Sequence, residues 1–186
     1  PYGDSKVRAE QALAEIGHSM GLPFVIIRPG MVYGPGSPGW TVRLARWAKR
    51  GRLPLLGGGR GTAYPIYIDN LIDLLILCTV HESAPSEVFN AIDDGPATMG
   101  AFLSAYMQMV PTNRAIRLPC WLGRVAAGLA NPFIRRWDLP HVVSQMCGRG
   151  RISNRKAKEL LGWSPRVGPN EGLRRSEAWL RAQGIL

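Results

Sequence analysis

Four apolar residues, Phe24-Val25-Ile26-Ile27, run without alternation between Gly21-Leu22-Pro23 and Arg28-Pro29-Gly30. A short continuous run rich in β-branched residues reads as a strand buried on both faces, as in a parallel sheet. Such a strand needs hydrogen-bonded neighbours on both sides, because unpaired buried backbone groups are costly. The rest of the sequence offers two or three further short strands, among them Val88-Phe89-Asn90-Ala91-Ile92. A doubly wound sheet needs more. The chain therefore reads as the later part of a larger α/β domain.

The flanking segments agree. From Asp4 to Met20, Val7, Ala9, Ala12, Leu13, Ile16 and Met20 recur among charged residues at helical spacing. After the strand, residues 28–36 form a glycine- and proline-rich loop, and ligands of open α/β sheets sit at the C-terminal ends of their strands. Trp40–Arg50 reads as a basic amphipathic helix ended by Gly51. Ile66–Asn70 reads as extended, with Asp69 or Asn70 capping a helix over 71–80. Thr98 or a neighbour opens a helix through Met109. Residues 112–150 read as short helices broken by Pro119, Pro132 and Pro140. Ser153-Asn154 caps a helix over 155–161 that stops at Gly162, and a last amphipathic helix spans about 170–183.

Composition narrows the function classes. Of 186 residues 46% are hydrophobic and 19% charged, which suits a globular core and excludes wholesale disorder. No stretch approaches the ~20 apolar residues of a membrane span. Cys78, Cys120 and Cys147 are far apart and in no metal-ligand spacing, so reduced thiols and a cytoplasmic setting are expected. The formal net charge is +10. Its arginines are scattered, with no run beyond Arg135-Arg136 and Arg174-Arg175, which suits solvated helix faces better than a nucleic-acid groove. His18, His81 and His141 lack a carboxylate or cysteine partner at ligand spacing, so no metal site is expected.

Tyr2 and Lys6 carry the chemistry. Four residues apart on one helix, they share a face a turn apart. A tyrosine serves as a general acid/base when its pKa, ~10 in water, moves toward the working pH. A unit positive charge 4 Å away is worth about 4 kcal/mol at an effective dielectric of 20, or roughly three pKa units.

The Tyr2-x-x-x-Lys6 pair, its helix, the buried strand and Arg28-Pro29-Gly30-Met31-Val32-Tyr33-Gly34-Pro35 together resemble the extended short-chain dehydrogenase/reductases, the NAD(P)-dependent epimerase/dehydratase family. Pro65-Ile66-Tyr67-Ile68-Asp69-Asn70 and Val88-Phe89-Asn90-Ala91 resemble two further segments of that family. Ser153–Pro165, with Leu160-Leu161-Gly162-Trp163-Ser164-Pro165, resembles its C-terminal helix and turn.

The resemblance implies a partial Rossmann-type doubly wound parallel sheet with a smaller, mostly helical C-terminal substrate domain. Residues 1–35 would be the last part of the dinucleotide-binding core and 36–65 a substrate-side insertion. The chain would return to the core sheet over 66–95, and 96–186 would be mostly substrate domain. Tyr2 would exchange a proton with a substrate hydroxyl or carbonyl. Lys6 would lower its pKa and hydrogen-bond the nicotinamide ribose. Pro29, Gly30, Met31 and Val32 would line the nicotinamide of NAD or NADP, with Arg28 buttressing the loop. Tyr33 and Arg60 are the candidate substrate-binding residues. The resemblance also implies a homodimer through the tyrosine-bearing helix.

Three departures shape this expectation. No Gly-rich phosphate turn occurs between a strand and a helix here, and Gly57-Gly58-Gly59 is no substitute. The family's substrate-binding Ser/Thr lies upstream of Tyr2. Ala63 stands where many sugar-nucleotide members carry an arginine, with Arg60 three residues earlier, which tilts the substrate toward an apolar alcohol or ketone. Two other readings stand beside the enzyme: a non-catalytic binding remnant of the fold, and a basic nucleic-acid-binding protein.

Overall fold

The computed structural model describes residues 2–95, 97–112, 114–130 and 139–186, excepting the side chains of Tyr2 and His141. The amphipathic pattern at the start forms α1 (Tyr2–Met20), stopped by Gly21 at φ 63°. β1 (Val25–Pro29) follows and pairs in parallel with β6 (Glu87–Ala91), Val25 opposite Glu87 and Pro29 opposite Ala91. Among the described residues β6 is its one paired neighbour. Within this chain β1 is half-buried over Val25–Ile27 and exposed at Arg28 and Pro29.

The expected loop after β1 contains a strand, β2 (Met31–Tyr33), parallel to β5 (Pro65–Tyr67). The backbone changes partners at Gly30: its N–H reaches the Ala91 carbonyl at 3.0 Å, and the next N–H, of Met31, reaches Tyr64 at 2.7 Å. A π-helical turn over Pro38–Val42 leads into α2 (Arg43–Lys49), so the expected helix of residues 40–50 comes as two pieces. β3 (Leu53–Leu56), a 3-10 turn through Gly57–Gly59 and β4 (Thr62–Ala63) precede β5.

α3 (Ile68–Val80) starts directly from β5. Neither Asp69 nor Asn70 caps it, because both are already inside its first turn. The first-turn position frees Asp69 to meet Arg175 at 3.3 Å. β7 (Ala97–Thr98) pairs antiparallel with β4 and leads into α4 (Met99–Gln108), whose cap is Thr98, accepting from the Ala101 N–H at 3.1 Å.

Within 112–150 the structure adds a strand to the expected helices. β8 (Ala115–Leu118) lies parallel to β3, and this tertiary pairing overrides a local pattern that reads as helix. α5 (Cys120–Ala130) and α6 (Leu139–Cys147) follow, with Cys120 and Cys147 joined as a disulfide across Cα atoms 6.2 Å apart. This corrects the expectation of three reduced thiols. The 27-residue separation hides a pairing that only the packing of α5 on α6 creates. α7 (Arg155–Leu161) ends at Gly162, left-handed at φ 65°, and α8 (Pro169–Ala182) closes the chain.

Two apolar clusters hold these elements. Phe89, Ile66, Leu74 and Trp163 fill one between the β1–β6 pair, α3 and α7. Tyr33, Leu53, Leu103, Tyr106 and Leu180 fill the other between α2, α4, α8 and the shorter strands.

Candidate active site

Tyr2 and Lys6 both lie in α1, one helical turn apart, and Glu10 continues the same stripe a turn later. Glu10 fixes that stripe to the sheet. The Arg28 guanidinium donates to its carboxylate from Nε at 3.0 and 3.1 Å and from Nη2 at 2.5 Å. Arg28 is the penultimate residue of β1, so the ion pair clamps the tyrosine-bearing helix to the C-terminal end of the strand. The Arg28 hydrogen bond holds the Glu10 carboxyl below its usual range, and the same contact raises the arginine. Lys6 is exposed. The Tyr2 side chain lies outside the described residues.

Four loop residues were expected to act together, and the structure divides them. Pro29 and Gly30 line a cavity of about 420 Å³, together with Arg28, Asn90, Arg151 and Ser153. Met31 and Val32 are half-buried and pack against the two apolar clusters. Gly30 is required by close approach, since a Cβ there would collide with the Tyr64 carbonyl oxygen.

Tyr33 is 1% exposed, with the rings of Tyr67 and Phe102 edge-on at 5.4 and 5.5 Å. Its hydroxyl has no hydrogen-bond partner among the described residues, and burial, with the nearby Asp93 carboxylate, pushes its pKa well up. It lines a second cavity of about 410 Å³ with Pro65, Ala101 and Leu173. Arg60 is exposed at the end of the glycine turn and lines neither cavity.

Sequence reasoning missed Arg151 and Asn90. The Asn90 amide donates to the Ser153 carbonyl at 3.1 Å, tying β6 to the segment that carries Arg151. An asparagine inside an otherwise apolar strand was the available signal. The described residues contain no cluster of three His, Cys, Asp or Glu able to hold a metal ion. No helix among them is long and apolar enough to cross a membrane.

Known proteins resemble this chain in sequence and fold. A family model for NAD-binding domains, described as male sterility protein, matches residues 1–60, the segment from α1 to the glycine turn. Along nearly the whole chain, 29% of residues are identical to UDP-glucose 4-epimerase of Vibrio cholerae, covering 97% of this chain and 54% of that protein. The chain is similar to proteins of the extended short-chain dehydrogenase/reductase family. An uncharacterised protein of Sinorhizobium fredii, y4nL, is 32% identical over 98% of this chain and 54% of its own length. A 2-alkyl-3-oxoalkanoate reductase of Stenotrophomonas maltophilia is 28% identical over 96% and 57%. The solved UDP-glucose 4-epimerase of Thermotoga maritima superposes with a TM-score of 0.74 at 23% identity, over 98% of this chain and 54% of that one. That likeness shows the Rossmann-type fold of the family. The chain spans about half the length of the curated relatives it matches.

Proposed function

We propose that the protein is an NAD(P)-dependent oxidoreductase, epimerase or dehydratase acting on a hydroxyl or ketone substrate. The observation that carries this reading is the Arg28–Glu10 ion pair, which ties α1, the helix of Tyr2 and Lys6, to the end of β1, where Arg28, Pro29 and Gly30 line a cavity. The residues there fit a dinucleotide. Pro29 and Gly30 offer backbone to the cavity, and Arg151 offers positive charge to phosphate-bearing ligands. Bound in the family's manner, NAD or NADP supplies hydride exchange.

The chain's own residues do the proton work in this reading. Tyr2 holds or accepts the proton of the substrate oxygen, and Lys6 stabilises the tyrosinate and hydrogen-bonds the ribose. Arg28 keeps α1 in register with β1, so the proton donor stays positioned while substrate exchanges. An apolar alcohol or ketone is the favoured substrate. Ala63 at the place of the diphosphate-binding arginine supports that choice, as does a relative named 2-alkyl-3-oxoalkanoate reductase.

Two further parts go with it. Exposed Val7, Leu13, Ile16 and Met20 on α1 suit a homodimer through that helix. A cytoplasmic setting belongs to the same reading, and the Cys120–Cys147 bridge is the observation against it.

The test is Tyr2→Phe in the full-length protein. Turnover should fall on the order of 10²–10⁴-fold, with affinity for the nicotinamide cofactor nearly unchanged. Full activity in that variant overturns the assignment.

A further inference from the structure

Residues 148–154 cross from the end of α6 to α7 without regular structure, and they bring Arg151, Ile152 and Ser153 to the cavity at the end of β1. With no helix or strand to fix them, their backbone groups take partners from elsewhere. One side chain holds the middle of the segment. The Tyr64 hydroxyl donates to the Gly150 carbonyl and accepts from the Ile152 N–H at 3.2 Å, so it grips both neighbours of Arg151. The same residue fixes a second part of the cavity wall through its backbone. Its carbonyl accepts the Met31 N–H at 2.7 Å and lies against Gly30, where a Cβ would collide with it. The flanking ties, from the Thr62 N–H to Gly148 at 2.8 Å and from the Asn90 amide to Ser153 at 3.1 Å, lie outside residues 150–152.

We propose that Tyr64 is a positioning residue, which ties Gly30 to the segment of Arg151 and so keeps that arginine at the cavity for the phosphate groups of a nicotinamide dinucleotide. The ligand named here rests on the hydride-transfer reading. Arg151 is exposed and pairs with no carboxylate among the described residues, so its guanidinium is open to an anion. An arginine on an irregular segment gives up backbone and rotamer freedom when it binds, and a segment already held gives up less. Tyr64 imposes that order before the ligand arrives. Its hydroxyl acts through Arg151 and touches neither cofactor nor substrate in this account.

The experiment measures NADH and NADPH binding by nicotinamide fluorescence in the full-length protein, in Tyr64→Phe, in Arg151→Ala and in the double variant. Tyr64→Phe keeps the ring and the backbone contacts and removes the hydroxyl alone. Its dissociation constant for the tighter cofactor should rise roughly tenfold, equivalent to about 1.4 kcal/mol and on the scale of one hydrogen bond. In the Arg151→Ala background the same change should cost less than about twofold, because the tyrosine acts through the arginine. A merely structural role predicts equal losses in the two backgrounds. A second readout needs no cofactor: trypsin should cleave after Arg149 and Arg151 about tenfold faster in ligand-free Tyr64→Phe, since cleavage follows local opening. Unchanged affinity in Tyr64→Phe, equal losses in the two backgrounds, or unchanged cleavage overturns the proposal and leaves the hydride-transfer reading standing. Failure of the unaltered protein to bind either cofactor overturns that reading, and the role of Tyr64 toward a dinucleotide falls with it.

Discussion

The Asn70 amide donates to a carboxylate oxygen of Asp93 at 2.7 Å, and both side chains are almost wholly buried. The second Asp93 oxygen accepts the Tyr67 N–H at 3.0 Å, at the start of α3. Asn70 in turn accepts from the Arg166 and Val167 N–H groups at 3.0 and 2.9 Å and donates to the Val167 carbonyl. One asparagine thus joins the end of β5, the loop after β6 and the segment leading into α8.

Replacing Asn70 by Ala strands a buried carboxylate oxygen and two backbone N–H groups together. The cost should be on the order of 3–5 kcal/mol in chemical denaturation. Burial raises the Asp93 pKa and the hydrogen bonds from Asn70 and Tyr67 oppose it, with burial the larger. A raised native pKa means that ionising Asp93 costs stability as pH climbs through that value. Removing Asn70 removes one opposing bond, so the loss should be larger and continue to higher pH in the variant. A loss under about 1 kcal/mol contradicts this account.

Glu10 has the opposite sign. Its native pKa lies below the ordinary 4.5, so its contribution is present above that value and is lost as pH falls through the native one. Both partners are solvent-exposed in part, which limits the ion pair to about 0.5–1 kcal/mol near neutrality. Glu10→Gln should show that deficit at neutral pH and converge with the unaltered protein in acid. A constant difference across the titration contradicts it.

Gly30→Ala should lose about 1–3 kcal/mol by overpacking, because the new Cβ meets the Tyr64 carbonyl oxygen rather than a movable side chain. Thermal unfolding of the variant measures this directly. Unchanged stability would place the Tyr64 backbone further from β1 than the structure has it.

The Cys120–Cys147 bridge leaves Cys78 as the free, buried thiol. Of this chain's three cysteines, thiol titration in denaturant without reductant should therefore find one, and all three after reduction. Replacing both bridged cysteines by Ser should lower stability by roughly 2–4 kcal/mol. Three thiols before reduction restores the reading made from sequence.

How far the sequence was legible follows from the kind of signal each element carried. α1, α7 and α8 are periodic and exposed on one face, and their ends carry Gly21, Gly162 and Pro169, so local rules suffice. β2 and β8 are short strands that exist because β5 and β3 lie beside them, and nothing local reports that pairing. The disulfide has the same cause. Pro29 and Gly30, which line the cavity at the end of β1, are marked in the sequence by motif order. Arg151 and Asn90 reach the cavity from segments some sixty residues apart in sequence, and spacing alone does not join them.

The most direct measurement is an ultraviolet titration of tyrosine ionisation in the full-length protein and in its Tyr2→Phe variant. Burial raises the pKa values of Tyr33, Tyr67 and Tyr106 and removes them from the lower part of the curve. The account predicts one tyrosinate appearing well below the ordinary ~10, absent in Tyr2→Phe and shifted upward in Lys6→Met. Superimposable curves for the unaltered protein and Tyr2→Phe in that range would contradict the assignment of Tyr2 as the acid/base.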